Sequence, residues 1–142
     1  MRKCKIIVAM LLVFVVMTAF PTAAIAEKNS STSEVVMPRL TYIAEAETDL
    51  SISGTTAIVD CWVKGNVLDA TKAKVIAELQ LKSGNSWMAY GTWTSTQNDY
   101  EAYVYETKSV KAGQTYRVKA TYTVWEGSQS ETIVVFSDEV TA

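Results

Sequence analysis

The sequence predicts an all-β domain, arranged as a sandwich or a barrel of seven to eight short antiparallel strands. Three observations point to this class. From residue 39 onward the chain consists of short runs rich in β-branched and aromatic residues, and apolar and polar residues alternate within each run. Glycine and asparagine separate the runs, as tight turns require. No stretch of this part shows the 3.6-residue apolar spacing of an amphipathic helix.

The alternating runs define the predicted strands in order along the chain. The turns at 83–85 and 126–128 each contain a glycine and join two strands into a hairpin. Residues 66–72 are predicted to form a loop with room for one helical turn, and residues 96–99 a polar loop. The predicted strands are residues 39–47, 50–53, 55–64, 73–82, 86–94, 100–108, 116–125 and 130–137.

In residues 73–82 the spacing of the apolar residues and the intrinsic helix propensity favour different secondary structures. Most of these residues favour a helix by intrinsic propensity. Their apolar members nevertheless recur at every second position, which places them on one face of a strand and on no single stripe of a helix. The pattern therefore predicts a strand with Val75, Ala77, Leu79 and Leu81 pointing to one side.

Residues 1–26 have the three parts of a secretory signal peptide. Three basic residues lie within the first five positions, an apolar run follows over residues 6–20, and Ala24-Ile25-Ala26 provides a small-x-small cleavage site. We expect cleavage after Ala26 and a secreted, extracellular protein.

An uncleaved membrane anchor is the alternative for this leader. The apolar run is shorter than the roughly 20 residues of a spanning helix, and Pro21 ends it just before the cleavage site. We therefore expect no membrane span after cleavage. Residues 27–38, rich in serine, threonine and glutamate, are expected to be a flexible linker, and residues 39–142 the β-sandwich domain.

The charge balance excludes one large class of partners. Without the leader, ten basic residues remain against fifteen acidic ones, which gives a net charge of −5. Lysine and arginine form no cluster in the sequence. Because phosphate contacts dominate nucleic-acid affinity, we expect neither a nucleic acid nor an anionic membrane surface as partner.

Cys61 is the one cysteine that remains after cleavage, so an intrachain disulfide is excluded. It shares strand parity with Ala57, Val59 and Val63, which places it on the inward face. A buried cysteine behaves as a small apolar residue. A reactive or intermolecular thiol is the alternative, although no basic neighbour in sequence lowers its pKa.

Residues 110–120 carry a family resemblance. An apolar Val110, a turn at Gly113 and a tyrosine at position 116 precede an alternating strand. This order resembles the E–F corner of fibronectin type III and related immunoglobulin-like domains, although Ala112 stands where many members have proline. The resemblance implies an immunoglobulin-like antiparallel β-sandwich in which the Tyr116 hydroxyl reaches back to the backbone of the turn. It also implies that residues 55–64, 73–82 and 130–137 correspond to strands B, C and G.

The whole layout also resembles a family of small exported proteins from Gram-positive bacteria of unknown function. The similarity lies in the signal peptide, in a Leu79-Gln80-x-Lys82 hairpin with two tryptophans, and in the corner at residues 113–118. It implies a fold and an extracellular address, and it transfers no functional site.

The sequence contains no histidine. That excludes Ser-His-Asp and Cys-His nucleophile pairs and most zinc or copper sites. No phosphate-binding glycine loop or dinucleotide fingerprint occurs, so we expect a non-enzymatic protein without cofactors or metals. Glu45, Glu47 and Asp49 share one strand face. They could bind calcium or serve a small carboxylate-based hydrolase, or simply form a solvated strand end.

Aromatic residues are the strongest functional lead. Outward rings on a sandwich can stack on sugars or anchor a protein partner, whereas inward rings fill the core. For residues 100–108 two registers remain open: the corner resemblance sends Tyr103 and Tyr105 inward, and Ala102 and Val104 favour the opposite register. Trp62 and Trp125 have outward parity. The candidate ligand-binding residues are Trp62, Trp87, Trp93 and Trp125.

These features predict a secreted, non-enzymatic β-sandwich protein that serves as a binding or cell-surface interaction module. Its ligand would be a cell-wall polysaccharide or a surface protein. The alternative functions are a carbohydrate-binding or cell-wall-binding module that uses exposed aromatic residues and, more remotely, a small carboxylate-based hydrolase.

Overall fold

The computed structural model describes residues 31–32 and 40–142. The predicted signal peptide and most of the predicted linker lie outside the described residues. The described part contains seven long strands, two strands of two residues each, and no helix. The strands are β1 (Ser31–Thr32), β2 (Ile43–Ser53), β3 (Thr56–Gly65), β4 (Lys72–Ser83), β5 (Ser86–Gln97), β6 (Glu101–Ser109), β7 (Thr115–Glu126), β8 (Gln129–Phe136) and β9 (Val140–Thr141).

The strands form two antiparallel sheets that pack face to face. Sheet A has the order β1-β2-β3-β6, and sheet B has the order β5-β4-β7-β8, with β9 also paired to β7. The chain changes sheet between β3 and β4, between β5 and β6, and between β6 and β7. This arrangement is an immunoglobulin-like antiparallel sandwich, which confirms the predicted fold class.

The two predicted strands at residues 39–47 and 50–53 form one continuous strand, β2. It pairs with β3 along its length, from Ile43 opposite Gly65 to Ser53 opposite Thr56. The apparent break lies at Thr48, a polar residue in the middle of the inward face. Thr48 is fully buried, and its hydroxyl lies 2.7 Å from the hydroxyl of Tyr122 on the facing sheet. A satisfied polar group in the core therefore interrupted the apolar pattern without interrupting the strand.

Strand β5 extends beyond its predicted end at residue 94 and reaches Gln97. Its last residues pair with β4, with Gln97 opposite Ala73. Because β5 is an edge strand, these polar residues remain in contact with water while their backbone stays in the ladder. The pairing shifts register between Leu79 and Gln80, where β5 carries one extra residue, Tyr90.

The core lies between the sheets. It consists of the inward-facing residues, which are every second residue along each strand. Full burial of each valine or leucine contributes about 1.5–3 kcal/mol relative to exposure. Close packing also requires a glycine at position 65, where a Cβ atom would lie 2.6 Å from both Ala70 and Val124. The fully buried larger side chains are Tyr116, Tyr122, Leu50, Leu79, Val59, Val63, Val75, Val118, Val124, Thr48 and Cys61.

The corner before β7 has the geometry that the resemblance implied. The Lys111 amide donates a 2.9 Å hydrogen bond to the Tyr116 hydroxyl, five residues away. Gly113 has a φ of 75°, a left-handed conformation that glycine adopts without strain. The buried Tyr116 ring packs edge-on against Tyr90, with ring centroids 5.3 Å apart. Ala112 is exposed in the turn.

Cys61 lies on the inward face of β3, as expected, and is fully buried. Burial raises the pKa of the Cys61 thiol to about 12. At neutral pH the residue is therefore a neutral thiol that fills space in the core.

Candidate functional site

The structure distributes the four candidate tryptophans over three different surfaces. Trp62 lies on the outer face of sheet A, whereas Trp87 and Trp125 lie on the outer face of sheet B. Trp93 lies on the inward face of β5, opposite Ala77, and packs against the core. The four residues therefore do not form one platform, and their role in ligand contact stays a prediction.

Trp93 has a packing role. A Cβ atom on Gly91 would lie only 2.8 Å from the Trp93 ring, so the ring lies directly over this glycine. The edge strand would otherwise leave a gap at Gly91, and the indole fills it.

Cations of the protein itself lie against the two tryptophans on sheet B. The Arg117 guanidinium lies 4.1 Å from the centroid of the Trp87 ring and 4.5 Å from that of Phe136. The Lys72 ammonium lies 4.3 Å from the centroid of Trp125. These cation–π contacts occupy one face of each indole and leave less of it for a ligand.

Trp62 also has a cation of the protein over its ring, since the Lys64 ammonium lies 5.0 Å from the ring centroid. Trp62 is directly opposite Tyr103 on β6, and its indole Nε1 donates a 3.0 Å hydrogen bond to the Glu47 carboxylate on β2. Tyr105 lies two residues further along β6, opposite Asp60. We call Trp62, Tyr103 and Tyr105 the aromatic patch.

The two tyrosines of the patch settle the register of β6. Tyr103 is 65% exposed and Tyr105 is 60% exposed, whereas Ala102 and Val104 are buried in the core. The register inferred from the corner resemblance is therefore wrong, and the register favoured by Ala102 and Val104 is confirmed. Strand β6 is an edge strand of sheet A, and its outer face leaves the two large half-polar rings exposed to solvent.

A shallow groove of about 390 Å³ runs along the aromatic patch. Asp60, Lys64 and Glu101 line it together with the three rings. The groove combines apolar ring surface with hydrogen-bond acceptors, which is the composition of a contact surface for polar partners.

The outer face of sheet A is strongly acidic. It carries five carboxylates against one basic residue, Lys64, on strands β2, β3 and β6. The three carboxylates predicted to share one strand face do so, and the topology adds two more from the neighbouring strands. In residues 31–32 and 40–142 no group of three or more histidine, cysteine or acidic side chains could hold a metal ion. The five carboxylates of this acidic–aromatic face are Glu45, Glu47, Asp49, Asp60 and Glu101.

The outer face of sheet B has the opposite charge. It carries five basic residues against one acidic residue, Glu78, on strands β4 and β7. Beside them on β8, Val134 is 49% exposed and Phe136 is 41% exposed. Gln80 lies in the middle of this face, where its side chain accepts a 2.8 Å hydrogen bond from Arg117. The five basic residues of this cationic face are Lys72, Lys74, Lys82, Arg117 and Lys119.

The fold and its surfaces define an immunoglobulin-like β-sandwich whose two outer faces carry opposite charge. In comparisons with known proteins, no family model and no curated protein matches the chain. None of the described secondary structure is a helix that could span a bilayer.

Proposed function

We propose that this protein is an exported, non-enzymatic binding module and that its contact surface is the acidic–aromatic face. The observation that carries the proposal is the exposure of Tyr103 and Tyr105 beside Trp62 on the outer face of sheet A. Tyrosine and tryptophan supply large contact area at low entropic cost, and they are enriched where proteins bind partners.

The sequence and the site both support a role without catalysis. The chain has no histidine to act as a general base. The carboxylates of the acidic–aromatic face follow three strands across an open surface, and one of them, Glu47, accepts the Trp62 hydrogen bond. A hydrolase would need two carboxylates facing each other in a cleft.

The leader supports export, and the strand order supports the family resemblances. Strand β3 lies in the middle of sheet A, β4 lies in the middle of sheet B, and β8 lies beyond β7. These are the positions of strands B, C and G in a fibronectin type III-like sandwich. The same strand order is compatible with the resemblance to small exported proteins of Gram-positive bacteria.

Carbohydrate binding is the second candidate, and the lining of the groove favours it. Sugar rings stack on aromatic side chains, while their hydroxyl groups donate hydrogen bonds to carboxylates such as Asp60 and Glu101. The ligand in that case would be a cell-wall polysaccharide. A surface protein would use the same rings as anchors in a different way, since its backbone and side chains also supply donors.

Retention of the purified exported protein on cells tests the proposal. We expect Tyr103→Thr/Tyr105→Thr to lower retention by about tenfold or more, because interface anchors contribute over 1 kcal/mol each. Threonine keeps the strand propensity at both positions. The control, Val67→Thr/Leu68→Thr, removes two exposed apolar side chains from the loop that follows β3, outside the lining of the aromatic groove, and should leave retention unchanged. Equal retention of wild type and the tyrosine variant would contradict the proposal.

Two further binding experiments distinguish a protein ligand from a carbohydrate ligand. Cells treated with protease lose retention if the ligand is a surface protein. Binding to insoluble peptidoglycan, cellulose or chitin that depends on Tyr103 and Tyr105 would instead establish the carbohydrate candidate.

A further inference from the structure

The two outer faces of the sandwich are complementary in charge. On their outward sides, strands β2, β3 and β6 of the acidic–aromatic face carry five carboxylates and one lysine, whereas β4 and β7 of the cationic face carry five basic side chains and one carboxylate. One of the five basic side chains, Lys82, forms a 2.7 Å salt bridge with Glu139 beside the face, so four basic side chains have no salt bridge to an acidic side chain of the described residues. The opposite charges therefore lie on opposite sides of one small domain. A net charge averaged over the chain hides this separation completely.

The apolar parts of the two faces are also arranged alike. On sheet A, β6 carries Tyr103 and Tyr105 and lies next to β3, with β2 on the other side of β3. On sheet B, β8 carries Val134 and Phe136 and lies next to β7, with β4 on the other side of β7. Neighbouring strands in any sheet lie about 4.8 Å apart. When the two faces of two copies stack, the charged strands of one face can therefore lie over the charged strands of the other, with β6 over β8.

We propose that the occupant of the acidic–aromatic face is the cationic face of a second copy of this protein. The proposal rests on the proposed function in taking the outer face of sheet A as a contact surface. It adds the outer face of sheet B as the matching surface. Because the two patches differ, the contact is head-to-tail, and each copy keeps one face open for the next. The assembly is therefore an open-ended chain of sandwiches.

A second copy of the protein as the bound partner explains more features of the surface than an anionic polymer as the partner would. An anionic polymer would be attracted to the cationic face, but it would leave the acidic face and the aromatic patch without a role. The head-to-tail contact uses both charged faces and four of the exposed large apolar side chains, Tyr103, Tyr105, Val134 and Phe136.

Sedimentation equilibrium of the purified exported protein provides the first test. Over about a hundredfold range of concentration, the mean mass should rise with concentration at low salt. Raising salt from about 0.05 M to about 0.5 M should weaken the association by about tenfold or more, because the Debye length falls severalfold. A protein that stays monomeric at every concentration and at low salt would overturn the inference.

Charge reversal of each face provides the decisive test. The first variant, Glu45→Lys/Asp60→Lys/Glu101→Lys, has two basic faces, and the second, Lys72→Glu/Lys74→Glu/Lys119→Glu, has two acidic faces. Each alone should associate at least about a hundredfold more weakly than wild type, because like charges then meet. An equimolar mixture should associate again, since each variant offers what the other lacks. Because only folded variants can restore association, the mixture also controls for folding.

The control variant places the same charge change outside the two faces. Asp99→Lys/Glu106→Lys/Asp138→Lys alters exposed residues in two loops and on the inward side of β6. It should associate as wild type does. A mixture of the two face variants that stays monomeric would overturn the inference, and so would equal weakening by the control.

The outcomes separate this inference from the proposed function. If the pure protein is monomeric but Tyr103→Thr/Tyr105→Thr still loses retention on cells, the self-association is wrong and the binding role stands. If the pure protein associates but the tyrosine variant is retained like wild type, the self-association stands and the proposed cell-binding role of the patch is wrong. Capture of the monomer by polyglutamate through the cationic face, without self-association, would overturn the inference in favour of a polyanion.

Discussion

Tyr122 is the residue whose hydroxyl connects the two sheets in the centre of the sandwich. It donates a hydrogen bond to the backbone carbonyl of Glu47 on the facing sheet, and it lies 2.7 Å from the Thr48 hydroxyl. Burial raises the pKa of the Tyr122 phenol above its ordinary value, so the group remains a donor throughout the physiological range. A single side chain thereby satisfies two buried polar groups that would otherwise be costly.

Replacing Tyr122 by phenylalanine tests this role. The variant keeps the ring but leaves the Glu47 carbonyl and the Thr48 hydroxyl without this partner. We expect the free energy of unfolding to fall by about 1–3 kcal/mol, measured by urea denaturation. The matched control is Thr123→Val, which removes an exposed hydroxyl pair with Thr132 and should change stability by less than about 0.5 kcal/mol. An unchanged unfolding midpoint for Tyr122→Phe would refute the assignment.

At the scale of elements, Glu131 on β8 holds the start of the domain against sheet B. Its carboxylate accepts hydrogen bonds from the backbone amides of Thr41, Tyr42 and Ile43, at distances between 2.8 and 3.2 Å. Desolvation is the largest single influence and raises the pKa of the Glu131 carboxyl, but the three amide donors together outweigh it and hold that pKa below its ordinary value of 4.5. The segment that enters β2 is therefore fixed by one carboxylate.

This contact makes part of the stability depend on pH. Because the pKa of Glu131 is lower in the folded state, its contribution is complete above the ordinary pKa of 4.5 and is lost as pH falls through the folded value. We expect Glu131→Gln to be less stable than wild type by about 1 kcal/mol at neutral pH, a modest effect because solvent screens the group. The difference should shrink in acid, as denaturation curves at several pH values will show. Glu106→Gln, which alters an exposed carboxylate on β6, should follow the wild-type profile, and a Glu131 difference that is independent of pH would contradict the mechanism.

The strands also show which parts of the fold the sequence pattern predicts and which it does not. Alternation placed the inward faces of β3, β4 and β7 correctly, since each of these strands is flanked on both sides and buries one clean face. It divided β2 at Thr48, because a sequence does not reveal the facing hydroxyl of Tyr122 that makes a buried threonine acceptable. Residue type alone could not locate the extra residue in β5 either, because the bulge at Tyr90 depends on pairing with β4.

At the scale of the whole molecule, the candidate surface depended on information that no single strand holds. Parity placed Glu45, Glu47 and Asp49 on one face, but adding Asp60 and Glu101 required the pairing of β3 with both β2 and β6. The same is true of the cationic face, whose lysines come from strands far apart in sequence. Residue type made the four tryptophans joint candidates for ligand contact, whereas the topology places them on three different surfaces. The residues that share one face of a sandwich depend on the order of the strands in the sheet. The sequence predicts the individual strands but not this order.

The proposed export places one more requirement on the whole molecule, because removal of the predicted leader must leave the sandwich complete. The predicted cleavage after Ala26 precedes β1, whose Ser31 and Thr32 pair with Leu50 and Asp49, so every described strand would remain in the exported form. We expect the mass of the protein recovered from the culture medium to correspond to a chain that begins at Glu27. Ala24→Arg/Ala26→Arg should block processing and retain the longer form in the cell, because the peptidase accepts only small side chains there. Ile25→Val, at the tolerant middle position, should be processed normally. Recovery of the wild-type protein only in the membrane fraction, with a chain that still begins at Met1, would contradict the predicted cleavage.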